Sequence, residues 1–302
     1  MNWHDFELMA RGGTLALLAL WSWLLWRDHR TMLAARTAIA MNLGIARYLI
    51  AASLIAGLVW VLRRTSWASR KIQAREASRA DFVREFGAAI RTVIVYTVLA
   101  VPLVWAFRNG FLHEYRGTVT PLAYLGYLAA MLVAHDAWFY WTHRAMHHPL
   151  LFKRVHRFHH RTVTPTAWTA YSFAIPEAAI AFLFMPAWFL LVPTPKPVVF
   201  AFLAIMILRN CIGHAGLELH PRGWASHPLL KWITTTTHHD LHHAGSFRHD
   251  YGLYFTWWDK LMGTEHPDYV ATFDRVTAPV TQAERQSEAA LRDARKRGPS
   301  FP

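Results

Sequence analysis

Five apolar runs, at positions 48–62, 88–107, 122–141, 173–192 and 198–213, constrain this chain more than any other feature. Each approaches the roughly 17–25 residues a helix needs to cross a bilayer. The composition agrees: 54% of the 302 residues are hydrophobic, with 15 Trp and 18 Phe, which is oilier than a soluble domain of this size. The pattern predicts an all-α, polytopic membrane protein made of transmembrane helical hairpins. A sixth run, 13–26, is short for a span and suits the membrane interface equally well. The N-terminus has no small-residue cleavage site, so the runs are read as permanent parts of an integral membrane protein.

The formal charge of +13 is unevenly placed. Arg63, Arg64, Arg70, Lys71, Arg75, Arg79 and Arg84 crowd the connector between the 48–62 and 88–107 runs, against only Glu76, Asp81 and Glu85. The positive-inside rule puts that connector in the cytoplasm. Membrane phosphates account for the basic surface, and with no nucleic-acid motif present no nucleic-acid partner is expected. The single cysteine, Cys211, excludes an intramolecular disulfide. With the connector inside, 88–107 leads out and 122–141 returns; 173–192 leads out, VPTPKP at 192–197 turns, and 198–213 returns. Every histidine cluster then lands on the cytoplasmic side, as a helical cap. The N-terminal part fits less simply, because Arg27, Arg30, Arg36 and Arg47 would lie outside if 13–26 spans. Three segments follow: membrane-associated helices with the basic connector (1–87), a histidine-bearing domain (88–271) and a polar tail (272–302).

The clusters read HRAMHH (143–148), HRFHH (156–160) and THHDLHH (237–243). His143 and His147, four apart at a helix end, share one face and can meet one metal ion. His156, His159 and His160 follow an i, i+3, i+4 pattern, and so do His239, His242 and His243. His214 adds a ninth imidazole. Nine exceed the roughly four to six ligands of a single transition metal ion but suit two ions with a position open on each. His4, His29, His113, His220, His227, His249 and His266 lack this clustering and are read as ordinary polar groups. Haem would need isolated histidines within the spans, and a zinc hydrolase would need a base such as the Glu of HExxH, which is absent. The other class is a non-catalytic membrane metal-binding or transport protein. A transporter places its ionisable ligands near mid-span, whereas these gather at span ends.

The order HxxxH, HxxHH, HxxHH resembles the sterol desaturase and fatty acid hydroxylase superfamily of integral-membrane di-iron oxygenases. HDAWFYWTHRAMHH (135–148), TPTAWTAYSF (164–173) with Glu177, and HHDLHHAGSFRHDYGLYFTWWDKLMGT (238–264) resemble its signature segments. The likeness covers about 122–264 and is silent on the first hundred residues. It implies O2-dependent hydroxylation or desaturation of an unactivated C–H position in a lipid, sterol-like or a long acyl or alkyl chain. It also implies two iron ions held by His143, His147, His156, His159, His160, His239, His242 and His243, with His214 as a further ligand. Zinc is able to replace iron in purified protein, because imidazole sites generally hold it more tightly.

Three carboxylates join the candidate site. Asp136, two turns before the first box, and Asp240, inside the third, are placed to take a ligand's spare N–H and fix its tautomer. Glu218, four residues after His214, has three open roles: metal ligand, partner of a ligand histidine or metal-bound water, or ion pair with Arg222. His148 and His238 adjoin the boxes on other helical faces. Trp138, Phe139, Tyr140 and Trp141 suit an interfacial aromatic belt or the wall of a lipid tunnel. The chain has no dinucleotide fingerprint, no cysteine set for an iron–sulfur cluster and no HPGG motif. Its electrons are expected from a separate ferredoxin or small haem carrier with an NAD(P)H reductase, for which the basic connector offers a docking surface.

Overall fold

The computed structural model describes residues 30–245 and 247–279. The 13–26 run, His4, His29 and the polar end beyond 279 lie outside the described residues. Four described helices are long and apolar enough to cross a membrane: Ile39–Leu62 within α1 (Arg30–Leu62), α2 (Arg79–Arg108), α3 (Pro121–Met146) and α7 (Lys196–Gly213). Local sequence sets their starts. Ser78 and Asp81 form a capping box at α2, and Thr120 caps α3 just before Pro121, which has no N–H to satisfy.

The run 173–192 departs from the single span expected of it. It forms two short helices, α5 (Ile175–Phe182) and α6 (Phe184–Leu191), joined at Leu183. Pro186 has no N–H to offer the carbonyl of Phe182, where α5 ends, so a continuous helix would lose a bond there. Ile175–Leu191 therefore falls short of a full span. Even so, the turn after α6 lies beside the turn between α2 and α3, with Lys196 Nζ 3.5 Å from Glu114 Oε1.

At the opposite end, α4 (Pro149–Val155), α8 (Thr236–Ala244), α9 (Trp257–Leu261), α10 (Tyr269–Thr277) and several 3-10 turns form a cap. The basic connector is folded into it. Ile72 N–H donates to the Gly216 carbonyl, Glu218 N–H to that of Arg70, and the Arg70 guanidinium to that of His220. Helix α10 runs past residue 272 with Phe273 and Val276 buried, so the packed fold extends into the stretch read as a polar tail. Among the described residues there is no strand, only two isolated bridges.

Between the two ends, α1, α2, α7 and the 3-10 turn Ala167–Tyr171 share one core. Ala51, Ala52 and Ala89 keep its helices close, as small residues do in membrane bundles. Gly44 serves the same contact, since a Cβ there would lie 3.0 Å from Val93 Cγ1. Tyr48 stacks on Tyr171 with ring centres 5.6 Å apart and donates its hydroxyl to the Trp168 carbonyl. The cap and the membrane helices are thereby packed against each other through aromatic side chains.

Candidate metal centre

The cap brings together all nine histidines of the expected set, in two groups. His143, His147, His156, His160 and His242 form one; His159, His214, His239 and His243 form the other. Within each group one nitrogen per ring lies within 4.8 Å of all the rest. The last turn of α3 supplies His143, and its C-cap supplies His147. His156 caps the end of α4, and the 3-10 turn His159–Arg161 then turns two neighbouring rings to different groups. In α8, His239 and His243 sit four apart on one face, and His242 points to the other group.

Hydrogen bonds fix which ring nitrogen faces inward. Nε2 atoms approach one another at 2.9 to 3.4 Å. The far sides of six rings meet acceptors, while Nδ1 of His160 and of His239 meets none. Backbone carbonyls stand at Nδ1 of His143 (Tyr251, 2.9 Å), His159 (Ser172, 3.3 Å), His214 (Asn210, 2.8 Å), His242 (His249, 2.6 Å) and His243 (Thr162, 2.9 Å). The Glu177 carboxylate stands 2.9 Å from His156 Nδ1. A carbonyl can only accept, so those Nδ1 atoms carry the proton and Nε2 presents its lone pair. Burial keeps the rings neutral. It holds His156, His159, His160, His239, His242 and His243 far below the usual imidazole range, with repulsion between neighbours adding to it, and His214 at about 4. Lone pairs crowded at these distances repel one another unless cations accept them, so the donor set fits two transition metal ions.

The three candidate carboxylates stand elsewhere. Asp136 takes no imidazole proton; it accepts from the backbone N–H groups of Tyr254 (3.0 Å) and Phe255 (3.3 Å) and from Trp257 Nε1 (2.7 Å). It shares a helical face with His143, but seven residues of helix separate them by about 10 Å, beyond hydrogen-bond reach. Asp240 accepts from Gln73 Nε2 at 2.7 Å, away from the rings, because one residue along a helix turns the side chain about 100°. Its burial raises its pKa to about 7. Glu218 is neither in a metal group nor paired with Arg222. Its Oε1 accepts from His220 N and Nδ1, and its Oε2 from Thr237 N (2.7 Å) and Oγ1 (2.6 Å), at the first turn of α8. Burial alone would raise its pKa, but these donors hold it below the usual carboxylate range.

His148 caps α4 from an exposed position, and fully buried His238 lies 3.3 Å from Asp250 and 3.5 Å from Asp259, so neither joins a metal group. The carboxylate that does touch a grouped ring is Glu177. Its position in the TPTAWTAYSF signature region was the one available signal; nothing in its spacing marks the contact with His156.

An apolar cavity of about 330 Å³ lies among α1, α2, α3 and the α5–α7 hairpin. It shares His135, Phe139, Phe173, Ala181 and Asn210 with a small space of about 30 Å³ lined by His143, His156, His159, His214 and His239. His135 Nδ1 lies 3.0 Å from the Tyr254 hydroxyl at this junction.

Comparison with known proteins adds to this geometry. The fatty acid hydroxylase family matches residues 128–264. A Δ7-sterol 5(6)-desaturase of Gibberella zeae is 34% identical over 134 residues, 44% of this chain and 39% of that protein. One from Aspergillus fumigatus is 28% identical over 261 residues, 81% of this chain and 70% of that one. A putative methylsterol monooxygenase of Dictyostelium discoideum is 25% identical over 219 residues, 68% and 77% of the two chains. No solved structure matches the chain.

Proposed function

Because the chain is a member of the sterol desaturase and fatty acid hydroxylase superfamily, we propose that it is an integral-membrane oxygenase acting on a sterol-type lipid. It hydroxylates or desaturates an unactivated C–H position, using O2 and electrons from a separate carrier. The observation that supports this reading most is the convergence of nine neutral imidazoles into groups of five and four. His143, His147, His156, His160 and His242 would hold one iron ion, and His159, His214, His239 and His243 the other. Such a metal pair, when bound, supplies the chemistry that reduces O2 and cleaves a C–H bond. Hydroxylation consumes O2, two electrons and two protons, leaving one oxygen on carbon and the other in water; desaturation consumes the same and forms two waters.

The chain's own residues position and shield. Glu177 and the carbonyls, which together back six of the rings, keep their Nε2 atoms aimed inward. The apolar cavity gives a lipid a path to the histidine-lined space, and burial of the rings excludes bulk water. The substrate class follows from the relatives, whose names are those of sterol desaturases and methylsterol monooxygenases.

The test is mass spectrometry of lipids from a sterol-containing host, with and without the chain. A sterol that gains one oxygen or loses two hydrogens is expected, and is expected to vanish in His159→Ala and His242→Ala. An unchanged lipid profile from metal-loaded, membrane-inserted protein would sink the reading.

In the same reading the histidine end faces the cytoplasm, supported by the basic connector folded into it, and that surface receives a ferredoxin or small haem carrier. Cys211 is buried, so thiol labelling can report sidedness. Ala74→Cys, on the connector, is expected to react with an impermeant reagent only after the membrane is opened, and Arg116→Cys in intact cells. The reverse pattern would invert the topology.

A further inference from the structure

Two buried polar atoms in the cap-side wall of the apolar cavity complete no well-formed hydrogen bond. Arg47 lines this cavity from within the membrane-crossing stretch Ile39–Leu62, and its Nε has no hydrogen-bond partner. The hydroxyl of Tyr171, which lines the same cavity and is 1% exposed, has none either. The guanidinium stands against that phenol in a loose polar contact that falls short of a well-formed hydrogen bond. Unpaired groups of this kind are unfavourable at membrane depth, and an ionisable side chain there usually marks a path or binding place for a substrate.

Their position is informative. Tyr171 directly precedes Ser172, whose carbonyl holds His159, and Phe173, which both cavities share. Farther from the cap the walls are hydrocarbon, with Leu43, Ala100, Leu103, Phe200 and Leu203. The cavity is therefore polar where it meets the histidines and apolar away from them.

Resting on the reading that this cavity holds the substrate, we infer that Arg47 and Tyr171 bind the hydroxyl of a lipid alcohol and hold its oxygen end toward the metal groups. A hydroxyl satisfies both atoms at once: its oxygen accepts from Arg47 Nε–H, and its proton is donated to Tyr171 Oη. The hydrocarbon body fills the rest of the cavity. Only the oxygen-bearing end reaches the histidine-lined space, so the carbon oxidised lies within a few bonds of the one bearing the hydroxyl. Arg47 lies outside the segment matched by the family, and Tyr171 lies inside it.

Binding to the purified full-length protein tests this with cholesterol, cholestane, which lacks the hydroxyl, and palmitate as probes. Cholesterol is expected to bind roughly tenfold or more tighter than cholestane, the equivalent of one hydrogen bond to a charged group. Arg47→Met is expected to bring the two to near parity while leaving cholestane affinity and metal content unchanged; Tyr171→Phe should fall between. Wild-type protein that does not distinguish the two, or a preference that survives Arg47→Met, would overturn the proposal. Arg47-dependent binding of palmitate tighter than cholesterol would overturn the alcohol and assign a fatty acid. Because the readout is binding, a protein that binds as expected but oxidises nothing sinks the oxygenase reading alone, and sterol oxidation without Arg47-dependent binding sinks this one alone.

Discussion

The two histidine groups are not equivalent: the group of five takes rings from all three boxes, whereas the group of four takes them from the second and third and from His214. The group of five has a carboxylate behind one ring, Glu177 on His156. In the group of four, three rings rest on backbone carbonyls, those of Ser172, Asn210 and Thr162, and His239 has no acceptor behind it. A carboxylate behind an imidazole raises its donor strength more than a neutral carbonyl does. With one ring fewer and no carboxylate, the second position would leave a bound ion more electropositive and has no ligand to spare. A sequence that repeats HxxHH twice thus folds into two different metal environments.

That asymmetry makes its largest prediction for single ligand losses. His239→Ala would leave three imidazoles in the group of four, and His160→Ala four in the group of five. Purified His239→Ala is expected to lose about one metal ion per chain relative to wild type by elemental analysis, and His160→Ala to keep its metal; both should lose turnover. Equal metal loss in the two variants would break the comparison. Glu177→Gln should act next most strongly, lowering turnover by roughly 10–100-fold, the usual effect of removing a carboxylate behind a metal-binding imidazole. Its metal loss should be confined to one ion, and loss of both would show that the two positions are not independent. The smallest effect is expected from Glu218→Gln, which puts an amide N–H among four donors and should cost about 1–3 kcal/mol of stability, read as a lower Tm. Its metal content should match wild type, and loss of an ion would make Glu218 a ligand after all.

Much of this was legible because short spacings report helix faces. The nine histidines and the membrane helices follow from spacings within a few residues of one another. How the rings divide between groups is less visible. His159 and His160 are adjacent yet part company, because a 3-10 turn advances each residue by about 120°. The acceptors behind the rings are mostly carbonyls of Tyr251, Ser172, Asn210, His249 and Thr162, and a backbone atom leaves no trace in residue identity. Asp136 and Asp240 stand close to the boxes in sequence, a closeness that ignores helical rise and phase, and Glu218 follows His214 by four residues where the helix has already ended at Gly213. Each is buried and bonded, but to groups that shape the cap: the 254–257 segment, Gln73 and the start of α8. The broken helix at 173–192 was missed because hydropathy does not register a proline.

Each metal group takes at least one ring from α8, which is translated some ninety residues after His143. During biosynthesis, a chain emerging from the ribosome therefore passes a long interval with the first two boxes made and neither group complete. On the proposed reading, full metal uptake would wait until α8 has arrived and docked over the connector through Asp240 and Gln73. A product truncated before α8 would reach the membrane with its spans in place but with neither metal group complete.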